Sequence, residues 1–326
     1  MLARPADAAE EGRWDELVVA TGRPHILQSR AWADLKALTG WGVRRFVFDG
    51  GVAQVLTKRL PLGITVAYAP RGPLVEPAGL TAAILALRDA LAKERCASLL
   101  CDPELAPDEA LRAELERSGV RRSPVFVQPR RTLLMDLTLD PGAMQAAMRK
   151  KTRQYINKGE REGVVTEETR DLDRFLRVLR AVGERDKFAL HSREYFERLL
   201  GAFGDRAHMM IARVGDEDAG ALMLARMSDR AWELYGGWSG AHAESRPFYL
   251  LKWRAMMRMR ALGARRYDMW GLAEGADDPL AGVENFKLGF GGQVTEWIGA
   301  LETPVRPMLY PVWQLAARRR LARSAA

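Results

Sequence analysis

Two stretches of the chain alternate apolar and polar residues in the same way. RRFVFDGGVAQVLTKRLPLGITVAYAPRG (44–72) turns at a glycine pair, and HMMIARVGDEDAGALMLARMSDRAWELYGG (208–237) turns at GDED. Period-two alternation around such turns predicts a hairpin, and each stretch runs on into a further strand. Each is then followed by a helical pattern, LTAAILALRDALAKERC (80–96) and FYLLKWRAMMRMRALG (248–263). Each helix gives way to a short apolar strand ending on aspartate, SLLCD and RRYD. Tyr68 and Tyr235 stand 167 positions apart, Asp102 and Asp268 166. One offset shared by hairpin, strand, helix and strand predicts a duplicated α/β (α+β) unit. The expected architecture is therefore two domains with mixed, partly antiparallel sheets.

The stretch between the halves starts as an alternating strand, TLLMDLTL, and turns helical at DPGAMQAAM, with Asp140 as N-cap and Pro141 in the first turn. The helical pattern then carries Arg149, Lys150, Lys151, Arg153, Lys158 and Arg161. These cations cover most of the circumference, which predicts either an exposed linker helix or a phosphate- or RNA-contacting one. Two helices follow, DLDRFLRVLRAVGERD (171–186) and REYFERLLGAFG, joined by KFALHSR. The expected boundaries put residues 1–138 with 299–326 in the first domain and 139–298 in the second.

Length and composition agree with two folded domains: 326 residues, of which 48% are apolar, exclude a disordered chain. The net charge of +8 favours an acidic partner, whether nucleic acid, a phosphate-bearing substrate or an anionic membrane surface. The two cysteines, Cys96 and Cys101, have no histidine at metal-ligand spacing, so neither a metal nor a disulfide framework is expected. The N-terminal segment lacks an apolar run, and no stretch of about 18 apolar residues occurs, so a cytoplasmic location is expected.

The densest candidate chemistry lies in GVENFKLGFGG (282–292), which places Lys287 among aromatic and glycine residues, read as a loop beyond the strand of RRYDMWGL. Such a lysine is either a solvated charge at a strand end or a cation held where negative charge develops. Asp102 and Asp268 stand at strand exits, where they either orient a substrate amine and accept its proton or cap the strand. Tyr235 and Tyr249 are candidates for a substrate cleft, Phe286 for core or substrate contact, and Phe290 for core. Arg71, between Pro70 and Gly72, contacts substrate or braces its loop.

Seven motifs in order, LQSRAWADLKALTGWGVRRF (27–46), YAPRGPL (68–74), MRKKTRQYINKGEREGV (148–164), HSREYFERL (191–199), YGGWSG (235–240), YDMWGL (267–272) and NFKLGFGG (285–292), resemble the Fem family of aminoacyltransferases over nearly the whole chain. The resemblance implies two GNAT-like domains, without the coiled-coil arm that some members carry. It implies transfer of an amino acid from aminoacyl-tRNA to an amino group of a peptidoglycan precursor, lipid-linked or UDP-linked, with no cofactor. Lys287 matches the lysine whose proposed role is oxyanion stabilisation, and Lys36 matches one that contacts precursor phosphate. His191, Arg193 and Tyr195 fall where the family binds phosphate, with either His191 or Arg193 at the arginine position. Ester aminolysis needs orientation and donors for the oxyanion rather than a strong nucleophile, which suits a chain without a Cys–His or Ser–His–Asp signature. An acyl-CoA-dependent N-acyltransferase is the rival, although no Arg/Gln-x-x-Gly-x-Gly/Ala stretch occurs; a noncatalytic RNA- or membrane-binding protein is another. The segment 306–323, with Met308, Leu309, Tyr310, Val312 and Trp313 before Arg318, Arg319, Arg320 and Arg323, suggests peripheral membrane contact or a helix packed on the first domain.

Overall fold

Two seven-stranded sheets, each with helices packed on it, account for the computed structural model, which describes residues 1–124, 127–187, 189–275, 278, 281–311 and 313–314. The first unit comprises residues 1–130 and the described residues from Glu296 on; the second comprises Arg131–Thr295. The sequence boundaries had been expected at 138/139 and 298/299. The difference arises because the strand Arg131–Asp136 is hydrogen-bonded to Arg266–Gly271 and so belongs to the second sheet.

The strands of the first unit are β1 (Arg4–Pro5), β2 (Gly42–Phe48), β3 (Gly51–Arg59), β4 (Thr65–Ala69), β5 (Cys96–Cys101) and β6 (Arg121–Arg122). Those of the second are β7 (Arg131–Asp136), β8 (Val165–Thr169), β9 (Ala207–Val214), β10 (Glu217–Met227), β11 (Arg230–Trp238), β12 (Arg266–Gly271) and β13 (Gln293–Glu296). The chain then returns to the first sheet as β14 (Leu301–Pro304). The orders are β1-β2-β3-β4-β5-β14-β6 and, read from the other edge, β8-β9-β10-β11-β12-β7-β13. The parallel pair falls at the same place in both, β4 on β5 and β11 on β12. Duplication therefore extends to topology. It does not extend to every residue: Asp102 stands one position past the end of β5, whereas Asp268 sits inside β12 opposite Trp232.

The helices are α1 (Ala8–Gly12), α2 (Trp14–Ala20), α3 (Arg30–Ala37), α4 (Leu80–Leu91) and α5 (Glu109–Arg117), then α6 (Pro141–Ala147), α7 (Lys150–Arg161), α8 (Leu172–Asp186), α9 (Arg193–Phe203), α10 (Pro247–Ala261) and α11 (Ala281–Leu288). Polar caps start them where the sequence offers one: Ser29, Asp108, Asp140, Asp171 and Ser192 each accept a backbone N–H of the first turn. In α8 the residues Phe175, Leu176, Val178, Leu179 and Val182 form one buried stripe, as 3.6-residue periodicity requires.

Three expectations are corrected here. The GVENFKLGFGG segment is not a loop at Lys287: it forms α11, and the turn comes after it, with Gly291 and Gly292 at φ +79° and +82°. The basic segment is also more ordered than its charge suggested. The backbone is extended at Met148 and Arg149, so α6 ends and α7 begins anew. Thr152, Ile156 and Gly159 are buried, and Gly159 lets α7 approach the side chain of Leu250 on α10 closely. The cations thus occupy one face of a packed helix. Finally, Leu309 and Trp313 pack on Ile64, Val66 and Ala97, and Trp313 Nε1 donates to Glu302 at 2.7 Å. These two apolar side chains are used inside the first unit and are not offered to a membrane; Met308 alone of that group is strongly exposed, while Val312 and Arg318–Arg323 lie outside the described residues.

Candidate functional site

In the second unit the parallel ladder between β11 and β12 covers only Arg230–Trp232 against Arg266–Asp268. β11 continues to Trp238 alongside β10, and β12 continues to Gly271 alongside β7. The sheet therefore parts at this point. In the first unit the corresponding ladder runs the full length of both strands, from Thr65 opposite Cys96 to Ala69 opposite Cys101. A cavity of about 930 Å³ occupies the opening in the second unit, near the upper end of ligand-pocket sizes. Its walls come from β11 (Glu233–Trp238), β12 (Met269–Gly271), the start of α10 and α11.

Lys287 is brought into this cavity by α11. Its Nζ donates to the carbonyl of Gly271 at 2.7 Å, the one hydrogen bond it makes among the described residues, and an ammonium carries three donors. Burial, and then the neighbouring Lys252, push its pKa down to about 8, against the pull of Glu233, Asp268 and Glu284. The ammonium form still prevails at neutral pH.

Gly271 is presented by an irregular stretch of β12. Trp270 has φ +62°, and the register against β7 shifts between Asp268 and Gly271. Asp268, 4% exposed, accepts from the N–H of Trp270 at 2.7 Å and from the Thr132 hydroxyl, which also lies 2.9 Å from the Trp270 carbonyl. The carboxylate thus clamps the bulge that carries the carbonyl holding Lys287.

The aromatic wall contains the other candidates of this unit. Phe286 stacks on Phe248 at 5.5 Å and meets Tyr249 edge-on at 4.8 Å; Tyr249 in turn meets Tyr155 of α7 at 4.8 Å. Arg246, beside the start of α10, lies over the Tyr155 ring at 4.4 Å. Tyr235 lines the cavity and shares a 3.1 Å hydrogen bond with Tyr195, on whose ring His191 stacks at 4.0 Å. Burial raises the pKa of both tyrosines, so they act as neutral hydroxyls. Arg193 is turned elsewhere: it pairs with Asp173 and, at 2.8 Å, with Glu197. Of the two residues between which the sequence left the phosphate position open, His191 is the one joined to the cavity wall.

Lys36, Arg71 and Asp102 belong to the first unit. Lys36 is half-buried on α3 with its Nζ 4.4 Å from the Trp32 ring, and burial lowers its pKa. Arg71 has φ +53°, donates its backbone N–H to Asp102 at 2.6 Å and its guanidinium to the carbonyl of Pro129 at 2.9 Å. Asp102 also accepts from Tyr68 Oη at 2.7 Å. These bonds tie the turn after β4 to the end of β5, the bracing role that the sequence left open for Arg71.

Sequence reasoning missed Lys252 and Glu233. Both line the cavity, 2% and 7% exposed, and are joined by a hydrogen bond from Nζ to Oε2. Tyr267 donates to the other oxygen of Glu233 at 2.7 Å. A signal existed: each charge is flanked on both sides by apolar or aromatic residues, in YLLKW and AWELY. Opposite charges at such positions are retained in a core only as partners.

Two α/β units of matching topology, one parted at its parallel pair around a cavity, define a tandem GNAT-fold protein. Family models agree: one described as the FemAB family matches residues 12–116, and one described as an acetyltransferase (GNAT) domain matches 146–288. The chain is similar to members of the Fem family. It is similar to the lipid II:glycine glycyltransferase of Staphylococcus aureus (strain USA300), with 25% identity over 275 residues, covering 77% of this chain and 61% of that one. The chain thus spans about three fifths of the length of that relative. The fold is that of the crystal structure of FemX, with a TM-score of 0.85 at 20% identity over 96% of this chain and 99% of that one. A tandem GNAT protein from the clavulanic acid biosynthesis pathway is more distant, with a TM-score of 0.54 at 18% identity over 94% and 98% of the two chains. Among the described residues no helix is long and apolar enough to cross a membrane.

Proposed function

We propose that this protein transfers an amino acid from aminoacyl-tRNA to an amino group of a peptidoglycan precursor stem peptide, by aminolysis of the ester. The observation that carries the reading is Lys287, held among the described residues by the Gly271 carbonyl and lining a ligand-sized cavity. When the amine attacks, negative charge develops on the carbonyl oxygen, and a fixed ammonium in a partly dry cavity stabilises that charge more than the uncharged ester. Tyr235, Tyr249 and Phe286 shape the wall, and His191 with Tyr195 extends it. Lys36 contributes to the anionic acceptor in this reading, as the resemblance implies. Asp268 and Asp102 have their carboxylates engaged with backbone N–H and hydroxyl donors, and we assign them to holding the chain rather than to proton transfer.

An RNA donor suits the face of α7, where Lys150, Lys151 and Arg161 are exposed and Tyr155 abuts the cavity-lining Tyr249 and Arg246. The relative's name, a lipid II:glycine glycyltransferase, supports a lipid-linked acceptor. Lys287→Ala should lower single-turnover transfer by about 10²–10³ with acceptor affinity nearly unchanged. The assay supplies mixed charged tRNAs and purified precursor and reads the product by mass spectrometry. Near-normal transfer by folded Lys287→Ala removes the proposed mechanism; transfer from an acyl-CoA but never from charged tRNA moves the donor to the rival class.

A further inference from the structure

The chain Lys252–Glu233–Tyr267 sits where the sheet parts. Glu233 directly follows Trp232 and Tyr267 directly precedes Asp268, the last paired residues of β11 and β12. Glu233 accepts from Lys252 of α10 on one oxygen and from Tyr267 on the other, so one carboxylate joins three elements at the vertex of the cavity. The Lys252 Nζ also lies 5.6 Å from the ring of Phe248 and 5.5 Å from that of Phe286, the neighbour of Lys287 in α11. Burying such a pair costs desolvation that an apolar pair of similar volume would avoid. Stability is therefore a poor reason for its presence, and its place beside Lys287 suggests another. A bare Glu233 carboxylate in this cavity would draw the Lys287 ammonium away from the ligand. With Lys252 bound to it, that carboxylate is neutralised, and the two ammonium groups repel.

We propose that Lys252, held by Glu233 and Tyr267, is a positioning residue that acts on the transfer step through Lys287, keeping that ammonium on the Gly271 carbonyl and available to the substrate. The inference rests on the oxyanion role given to Lys287. Among the described residues, the charged groups that act on Lys287 are Lys252, Glu233, Asp268 and Glu284, and burial is the largest cause of its low pKa, about 8. Removing Lys252 takes away a repelling charge, and removing Glu233 takes away an attracting one. The two changes must therefore move Lys287 in opposite directions.

The test uses the full-length protein with carbon-labelled lysine, Lys287 being assigned by the signal lost in Lys287→Met. Lys252→Met should raise the titration midpoint of Lys287, and Glu233→Gln should lower it. The alkaline limb of the single-turnover pH profile should follow each midpoint. At neutral pH, Lys252→Met should slow transfer at least about tenfold with an acceptor KM within about twofold, and adding Glu233→Gln should restore most of the rate. A midpoint indifferent to both substitutions, or a double variant as slow as Lys252→Met, overturns the proposal. If Lys252→Met does not fold, Glu233→Gln decides: a midpoint that fails to fall is the overturning result. The midpoints are read without activity, so failure here is distinguishable from failure of the oxyanion role, which Lys287→Ala tests alone.

Discussion

Asp102 shows how one residue's surroundings set its contribution. Burial is the largest influence on its carboxyl and raises the pKa to about 6, against the lowering effects of Arg71 and Tyr68. A raised pKa means that the folded state holds the proton more tightly than the unfolded one. The resulting stabilisation is complete below about pH 4 and is lost as pH rises through about 6. A shift of this size corresponds to something on the order of 3 kcal/mol. Asp102→Asn should therefore flatten the fall in stability between pH 4 and 6, measured as urea midpoints across that range. A difference in stability between wild type and Asp102→Asn that stays constant over the same range would contradict this account. Lys287 was legible as a candidate because it stands alone among aromatic and glycine residues, and Lys36 only through the motif that resembles the Fem family. Lys252 and Glu233 were passed over because their meaning lies in each other, and they are 19 positions apart in the chain.

Among the elements, hairpins, helices and the short strands that lead to Asp102 and Asp268 followed directly from periodicity and capping residues. Besides the break between α6 and α7, the element misread was α11, because its glycines lie just beyond it and suggested a loop throughout. Those glycines end the helix and let the backbone pass close to β7. At Gly292, φ is +82° and an added Cβ would meet the Leu134 carbonyl at 2.7 Å. Gly292→Ala should destabilise the second unit by roughly 2–3 kcal/mol, since strain and collision act together. Gly215→Ala, at φ +58° with nothing within 4 Å, should cost only about 1 kcal/mol. Denaturant midpoints of the two variants compare them directly, and equal losses would mean that the close approach to β7 does not constrain this turn.

For the whole molecule, the discontinuous first unit matters most. Its β14 enters between β5 and the edge strand β6, so the ladder that covers β5 depends on residues that follow the entire second unit. The second unit is one continuous segment, Arg131–Thr295. Expressed alone, 131–295 should unfold cooperatively by circular dichroism and calorimetry. The segment 1–130 alone should not, because β5 would be left with its outer backbone groups unpaired. A cooperative transition in 1–130 would show that β14 is dispensable to that core.

The sequence by itself determined the duplicated units, most helices and strands, and the motifs that resemble the Fem family. Those features are written locally, in periodicity, caps, turns and short motifs. Only the tertiary structure decided that one unit parts at its parallel pair while the other stays closed. Only it joined Lys252, Glu233 and Tyr267, and only it turned Asp268 into the clamp of a bulge. Each of these depends on where a ladder ends and which side chains meet there, and a one-dimensional pattern does not encode the partners of a residue across a sheet.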